Sequence, residues 1–338
     1  MLKIVGDISL TDGYFDVGFG IGSKLKEGFD PFKYIQRNAD DCWIGNFEGV
    51  ASDTSVRNNC SSKQFRVKPK YLSHLKHFNL YGLANNHVMQ HGAIAYENTL
   101  SYLTSLGCKC FGSIQYKTQI IMHQDKLVSI TGFSQRIDAF STEPCYWHNP
   151  EYCEIEEEIE RIPHNAFKIV FVHWGNEFIN RPSIPQKCFA HWLVDAGFDL
   201  VIGMHPHVLQ GYEQYHGKYI FYSLGNFVFH MAWEPTKYGV IINIDLSKYE
   251  ISPEIEYIKI NSEFAPEPIN KLLVPKEFRF DYLNEQLKIN ENTEEYHAKI
   301  VSFYKQYRYA NHKNILKNML LHPAIIKSTI QDYIKRRL

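Results

Sequence analysis

Five predicted strands each end near a side chain that can bind a metal ion, and this feature constrains the fold more than any other. The strands are short apolar runs separated by helical patterns, which indicates an α/β protein. Ligands of parallel α/β sheets bind outside the carboxyl ends of the strands, so these side chains are expected to converge on one crevice. The strands and their polar residues are Lys3–Gly6 with Asp7, Asp40–Gly45 with Glu48, Asn79–Ala84 with Asn86, Phe167–Val172 with His173, and Phe198–Gly203 with His205 and His207.

Helical patterns separate these strands, and the pattern changes after His207. Beyond that point consecutive strands follow one another without helices, which predicts an antiparallel second layer or half-sheet. The predicted helices are Tyr71–Phe78, Tyr96–Leu106, Glu154–Arg161 and Cys188–Ala196, and the later strands are Lys218–Leu224, Gly239–Asp245 and Glu254–Ile260.

The residue types at the strand ends suit a pair of metal ions. Carboxylates can bridge two cations, while imidazoles and an amide oxygen complete each coordination shell without adding charge. Such mixed nitrogen and oxygen sites favour Mn, Fe or Zn over Mg or Ca. Two metals about 3.5–4 Å apart can hold a phosphoryl group and activate a water. The expected cofactor is therefore two divalent transition metals.

Each of these residues taken singly also has a purely structural interpretation. Asp7 could form an Asx-turn, Glu48 could be a loop acid, and His173 could pack beside Trp174. The pair His205 and His207 is harder to explain this way, because residues i and i+2 of an extended segment point to the same face. The set as a whole favours a functional site.

Composition and cysteine count limit the cellular setting. Lys and Arg total 36 against 37 Asp and Glu, so no basic field argues for a nucleic-acid partner. The seven cysteines are an odd number in a 338-residue chain, which favours a reducing compartment over a disulfide framework. Neither a secretory signal nor a transmembrane run is recognisable, so we expect a cytoplasmic protein, or one peripheral at a membrane.

The composition shifts near residue 265, which predicts a domain over 1–264 and a helical extension over 265–338. Residues 305–338 are basic and carry a predicted apolar helical face. That face either packs on its own domain or docks on a membrane surface or a partner. The apolar face comprises Ile325, Ile326, Ile330, Tyr333 and Ile334.

Six motifs, in order over residues 1–262, resemble the CapA family of capsule and poly-γ-glutamate synthesis proteins. That family is related to the calcineurin-like metallophosphoesterases. The two longest motifs are the most specific. The motifs are Gly6-Asp7-x-x-Leu10, Asn46-Phe47-Glu48-Gly49, Ala84-Asn85-Asn86-His87 with Gly92, Val172-His173-Trp174-Gly175-x-Glu177, the block from Asp195 to Gln210, and Tyr222-Ser223-Leu224-Gly225-Asn226-Phe227.

The resemblance implies a four-layer αββα sandwich with a metal site at one edge. It implies that His87 stabilises or protonates the leaving oxygen. The implied metal ligands are Asp7 and His207 for the first metal, Glu48 as a bridge, and Asn86, His173 and His205 for the second metal. The implied setting is bacterial cell-surface polymer synthesis, with an anionic small molecule or polymer as substrate and membrane-associated capsule synthesis machinery as a partner.

Further residues are assigned supporting roles, and three positions depart from the family's usual pattern. Arg66 could hold an anionic substrate, while Asn46, Glu213 and Asn226 could support metal ligands from behind. The departures are Ser9 for a histidine, Gln90 for an aspartate, and Met204 for the first of two adjacent histidines.

The expected function is that of a binuclear metal-dependent hydrolase acting on a phosphoester or a related bond. The departures at Ser9 and Gln90 keep open a non-catalytic accessory or scaffold protein with a vestigial metal site. An amidase or ligase-like transferase acting on a polyglutamate chain would use the same metal site. A nuclease ranks lower because the first 262 residues contain no basic stripe.

Overall fold

The computed structural model describes residues 1–321 together with 323, 326, 327 and 330. The described residues form strands and helices in mixed order. The strands are β1 (Leu2–Ile8), β2 (Cys42–Phe47), β3 (Val50–Ala51), β4 (Arg66–Val67), β5 (Leu80–Gly82), β6 (Lys109–Phe111), β7 (Thr118–His123), β8 (Lys126–Ser134), β9 (Phe167–His173), β10 (Leu200–Met204), β11 (Leu209–Tyr215), β12 (Lys218–Leu224), β13 (Asn226–Val228), β14 (Tyr238–Ile244), β15 (Glu254–Ile260) and β16 (Pro266–Pro268). The α-helices are α1 (Ile21–Lys26), α2 (Ala93–Ser105), α3 (Tyr152–Glu160), α4 (Ile184–Asp195), α5 (Phe280–Gln286) and α6 (Thr293–Leu321).

Two large sheets carry the fold. The first has the order β16-β15-β14-β1-β2-β5-β6, with β13 also pairing with β1. Its strands β1, β2, β5 and β6 are parallel, and β14 to β16 extend it in antiparallel fashion. The second has the order β11-β12-β10-β9-β8-β7, in which β8, β9, β10 and β12 are parallel.

The sheets pack face to face with helices on both outer faces, so the predicted four-layer αββα sandwich is confirmed. Between the sheets, Ile4 and Ile242 of the first meet Ile202 and Phe221 of the second. Burying each such side chain contributes about 1.5–3 kcal/mol. On the outer faces, α2 covers the first sheet and α3 and α4 cover the second.

The antiparallel prediction after His207 is correct for two of its three strands. β14 and β15 form the antiparallel half of the first sheet. β12 instead joins the second sheet beside β10 and runs parallel to it, so the prediction is wrong there. The chain reaches β12 through the hairpin strand β11, which is antiparallel to β12 and was not predicted.

Local chemistry explains where the helices differ from prediction. Helix α4 begins four residues earlier than predicted, because the Ser183 hydroxyl caps it by accepting from the Gln186 amide and Pro185 suits the first turn. The predicted helix Tyr71–Phe78 is two short 3₁₀ segments, Pro69–Tyr71 and Ser73–His77. Helix α2 starts directly after Gly92, whose φ of 84° reverses the chain.

The C-terminal part is helical but also adds to the sandwich. Strand β16 pairs with β15, and Phe280 and Leu283 of α5 belong to the core between the sheets. The boundary predicted at residue 264 stays a prediction. Of the predicted apolar face, Ile326 and Ile330 are exposed, while residues 325, 333 and 334 lie outside the described residues. No helix in the described part of the chain has the length and apolarity needed to cross a bilayer.

Candidate metal centre

The carboxyl ends of both sheets meet at one edge, and the residues predicted to bind metal lie there. The first sheet contributes residues at or just beyond β1, β2 and β5, and the second contributes residues at or just beyond β9 and β10. The residues are Asp7, Glu48 and Asn86 from the first sheet and His173, His205 and His207 from the second. Parallel strand direction within each sheet therefore gathers residues that are as much as 200 positions apart in sequence.

His205 and His207 reach this edge by a route that differs from the predicted one. The segment after β10 is not extended, because His205 has φ 97° and His207 has φ 57°. Positive φ is unfavourable for residues with a side chain and is found where function demands it. Both imidazoles nevertheless enter the cluster, with ring centroids 5.9 Å apart.

Short contacts join the two sheets through the cluster. His173 Nε2 lies 2.9 Å from Asn86 Oδ1 and 3.1 Å from His205 Nδ1. The backbone amide of His205 donates to Asp7 Oδ2 at 3.1 Å. Nitrogen and oxygen atoms that could bind metal thus face one another across the joint between the sheets.

His207 presents one ring nitrogen to each side of the cluster. Its Nδ1 lies 3.0 Å from Asn226 Oδ1, and Nδ1 donates there if it carries the proton. Its Nε2 lies 3.7 Å from Glu48 Oε1. The Asn226 amide oxygen therefore favours the tautomer whose Nε2 is free to act as a ligand.

The two carboxylates of the cluster, Asp7 and Glu48, are buried. Burial raises the pKa of Asp7 to about 7, against the lowering effect of hydrogen bonds from Asn46 and from the His205 amide. Burial, with Asp7 and Glu177 nearby, raises the pKa of Glu48 well above its usual value. Among the residues that the structure describes, neither oxygen of Glu48 has a hydrogen-bond partner, although the residue is fully buried. Unpaired buried carboxylates are costly, and a metal ion would compensate them.

The imidazoles also suit metal binding. Burial lowers the pKa of His207 to about 3 and lowers the pKa values of His173 and His205 well below the usual range. These rings are thus neutral near pH 7, and neutral imidazole is the form that binds metals. Within the described part of the chain, His205 Nε2 is buried and has no hydrogen-bond partner, so it is free to coordinate a metal ion.

In the described part of the chain, potential ligand atoms form two groups, and one group includes a residue that the sequence reasoning did not select. Asp7, Glu48 and His173 offer atoms within 4.8 Å of one another, and so do Glu177, His205 and His207. Glu177 belongs to the motif that begins at Val172, but it lies in a loop beyond the strand end, where an acidic residue is common. Two groups of three suit two metals.

His87 lies beside the cluster in a fixed orientation. Its ring stacks on Phe65 with centroids 3.8 Å apart and 1° between the planes. Its Nδ1 lies 2.9 Å from Gln90 Oε1, so Gln90 orients the ring where the family usually has an aspartate. Its Nε2 lies 3.7 Å from Glu48 Oε1. Burial lowers the pKa of His87 to about 4.

Two of the four supporting residues lie in the cluster and two lie away from it. Asn46 Nδ2 donates to Asp7 Oδ1 at 2.7 Å, and Asn226 contacts His207. Glu213 instead accepts from the Tyr222 hydroxyl and contacts His191, because β11 turns it to the outside of the second sheet. Arg66 donates to backbone carbonyls of Ser52 and Ser62, so its guanidinium holds a loop.

A cavity of about 650 Å³ opens from the cluster. Asn86, His87, Glu177 and His207 line it on the side of the sheets, and residues of α6 line it on the opposite side. This volume is typical of sites for small organic ligands.

Comparison with known proteins places this chain among capsule synthesis proteins. The family model described as "Bacterial capsule synthesis protein PGA_cap" matches residues 1–231. The PGA biosynthesis protein CapA of Bacillus subtilis (strain 168) is 29% identical over 266 residues, which cover 71% of this chain and 67% of that protein. The capsule biosynthesis protein CapA of Bacillus anthracis is 30% identical over 210 residues, covering 58% of this chain and 51% of that protein.

Solved structures with a similar arrangement include enzymes of low sequence identity. A novel phosphatase from Mycoplasma pneumoniae is 11% identical with a TM-score of 0.46, covering 82% of this chain and 97% of that one. A 5'-nucleotidase from Candida albicans SC5314 is 11% identical with a TM-score of 0.44, covering 93% of this chain and 58% of that one.

Proposed function

Because this chain belongs to the PGA_cap family of bacterial capsule synthesis proteins, we propose that it acts in the biosynthesis of a capsule or cell-surface polymer. Its reaction in this proposal is the metal-dependent hydrolysis of a phosphoester or a related bond. The observation that carries the hydrolase proposal is the fully buried, unpartnered Glu48 carboxylate between Asp7 and two histidines.

The described side chains fit a pair of divalent transition metals. The residues that would hold them are Asp7, Glu48, Asn86, Glu177, His173, His205 and His207. Bound there, such metals polarise a phosphoryl oxygen and lower the pKa of a water. Glu177 supplies the carboxylate that compensates for Ser9, whose hydroxyl is hydrogen-bonded to Thr11 Oγ1 at 2.8 Å.

His87 would act on the leaving oxygen through Nε2. Its ring cannot turn, because Phe65 covers one face and Gln90 contacts Nδ1. The Gln90 amide oxygen accepts from Nδ1–H, so the neutral ring carries its proton on Nδ1. Its Nε2 then holds a lone pair that faces Glu48 and the cavity, where it can take up a proton and pass it to the leaving oxygen. Because burial lowers the pKa of His87 to about 4, its imidazole is neutral near pH 7.

The direct test is a phosphoester screen with the full chain after chelation and reloading with Mn²⁺, Fe²⁺ or Zn²⁺. We expect turnover of p-nitrophenyl phosphate or bis(p-nitrophenyl) phosphate that disappears on chelation and in Asp7→Asn. The hydrolase proposal would be contradicted if the metal-loaded protein hydrolysed none of these phosphoesters, no phosphoanhydride and no γ-glutamyl amide.

A second candidate function is that of an accessory protein in polymer assembly, and the exposed apolar residues of α6 favour it. Leu316, Leu320 and Leu321 are 63%, 83% and 55% exposed. Membrane-associated capsule synthesis machinery would be the partner. Retention of full capsule production in cells carrying His87→Ala, together with its loss on removal of α6, would favour this function over hydrolysis.

A further inference from the structure

The loop that carries Glu177 lies between the sandwich and helix α6. It connects β9 to α4, and its backbone is bonded to the sandwich at two points. The Phe178 amide donates to the carbonyl of Pro206, which lies between two candidate metal ligands, at 2.8 Å. The Gln210 side chain donates to the Ile179 carbonyl at 2.8 Å. The sandwich therefore fixes the path of this loop.

Helix α6 contacts the side chains of the same loop. Phe178 stacks on Tyr307 with ring centroids 4.0 Å apart and 21° between the planes. The buried Arg181 forms an ion pair with Glu291, just before the helix begins. These contacts hold the cavity-lining face of α6 against the loop.

One contact from this helix reaches the candidate metal ligand itself. The Tyr304 hydroxyl donates a hydrogen bond to the Glu177 carboxylate. The Tyr304 ring also packs beside Phe178, with centroids 5.7 Å apart, which directs the hydroxyl toward the loop. A carboxylate has about four acceptor positions, so one hydrogen bond can orient it and leave other lone pairs for a metal ion.

The two groups of ligand atoms differ in what orients their carboxylates. In the group that contains Asp7, this carboxylate accepts from Asn46 Nδ2 at 2.7 Å and from the His205 amide at 3.1 Å. Both of those donors belong to the sandwich. In the group that contains Glu177, a donor comes from α6. The C-terminal helix is thus bonded to a ligand of one group and not to the Asp7 carboxylate of the other.

We propose that Tyr304 is a positioning residue that sets the metal affinity of the group containing Glu177, so that α6 controls the occupancy of one of the two metal positions. Its hydroxyl holds the carboxylate toward His205 and His207. Residues that orient a metal ligand from behind typically change metal affinity about 10–100-fold when they are removed. The inference rests on the metal centre of the proposed function, but not on hydrolysis.

The test measures metal binding rather than turnover. Mn²⁺ is titrated by calorimetry into the chelated full chain, and elemental mass spectrometry counts the metal retained after gel filtration. Tyr304→Phe removes only the hydroxyl, and it should fold normally because the ring is kept and is 44% exposed. The matched control is Tyr309→Phe, which removes the hydroxyl of a tyrosine that is 79% exposed on the same helix and packs beside His312. Circular dichroism checks that each variant retains its helical content.

A double variant separates positioning from a general structural effect. Glu177→Gln should by itself weaken the same metal position, because an amide replaces the charged ligand. If Tyr304 acts through Glu177, adding Tyr304→Phe to Glu177→Gln should cause no further loss of metal affinity. Residues that act independently would instead give losses that add.

We expect wild type and Tyr309→Phe to bind about two Mn²⁺ ions per chain. In Tyr304→Phe one ion should bind as in wild type, and the Kd of the other should rise about 10–100-fold. Unchanged binding at both positions, an equal loss at both, or additive losses in the double variant would overturn the positioning role and leave the metal centre standing. Fewer than two ions in wild type would contradict the metal centre of the proposed function, and this inference with it. Phosphoester turnover, which the screen above measures separately, enters none of these outcomes.

Discussion

His173 Nε2 and Asn86 Oδ1 lie 2.9 Å apart, although one residue ends a strand of the second sheet and the other follows a strand of the first. This contact lies where the carboxyl edges of the two sheets meet. The candidate metal centre is therefore a joint between sheets, and its ligands depend on how the sheets pack as well as on local sequence. The predictions below test the centre, the histidine beside it and the packing that supports both.

Replacement of Glu48 by glutamine should abolish stabilisation by metal. The buried carboxylate would supply negative charge to the bound metal, and an amide cannot supply that charge. A metal present at about 100 times its Kd adds about 2.7 kcal/mol to the free energy of unfolding. Thermal unfolding with and without Mn²⁺ should show this gain in wild type and little or none in Glu48→Gln.

Glu213→Gln is the matched control for that experiment. It removes a carboxylate that the sequence also suggested, but one that contacts His191 and Tyr222 on the outside of the second sheet. The control should keep the full gain from metal. Loss of the gain in Glu213→Gln alone would contradict the placement of the centre.

The variant His87→Asn should lose phosphoester turnover while it keeps its metals. Its ring lies beside the cluster, stacked on Phe65, and is not among the ligand groups that surround the candidate ions. Loss of a side chain that transfers a proton in the transition state typically lowers kcat by about 10²–10⁴-fold. Elemental mass spectrometry should find an unchanged metal content. A wild-type rate of turnover in His87→Asn would show that His87 does not act in the reaction. The control is His164→Asn, which replaces an exposed histidine.

The fold should depend on the glycine before Asp7. A Cβ atom at Gly6 would lie 1.9 Å from the backbone oxygen of Gly225, because β1 passes directly over that turn. Gly6→Ala should therefore lower the free energy of unfolding by about 3 kcal/mol or more, as severe overpacking does. Gly13→Ala, whose nearest contact would be 3.4 Å, should cost far less in the same denaturant titration.

Buried His91 should make the protein less stable in acid. Its ring contacts Ser55 Oγ and the Gln64 carbonyl, and burial lowers its pKa to about 4 in the folded state. The unfolded chain, with a histidine pKa near 6.5, binds the proton more readily, so stability falls as the pH drops from about 6.5 toward about 4. His91→Gln should flatten this decline in denaturant titrations across that range. A slope identical to wild type would contradict the assignment, and the exposed His164→Gln should leave the slope unchanged.

The sequence predicted the parallel strands β1, β2, β5, β9, β10 and β12 because their apolar runs are unambiguous, but it did not predict the parallel strands β6 and β8. It did not predict the hairpin of β7 and β8, for two physical reasons. Strand β7 is an edge strand that alternates between half-buried and exposed residues, so its apolar signal is weak. The turn at Gln124 and Asp125 has φ values of 49° and 58° but contains no glycine or asparagine, so the usual hairpin signal is missing.

The site shows the same division between local and tertiary information. Residues at strand ends were found because strand direction alone brings them to the sheet edge. Glu177 was not found, since only the packing of its loop against His205 and His207 gives it a role. Glu213 and Arg66 were selected by residue type, but in the fold both form hydrogen bonds away from the metal-ligand cluster. The wall of the cavity formed by α6 likewise depends on contacts between distant parts of the chain.

The metal content of the purified full chain tests the central claim most directly. Elemental mass spectrometry after gel filtration should find about two Mn, Fe or Zn per chain in wild type. Asp7→Asn in the first sheet and His173→Ala in the second should each bind less metal, because both sheets supply ligands. One metal or none in wild type, or an undiminished content in both variants, would contradict a binuclear centre at the joint between the sheets.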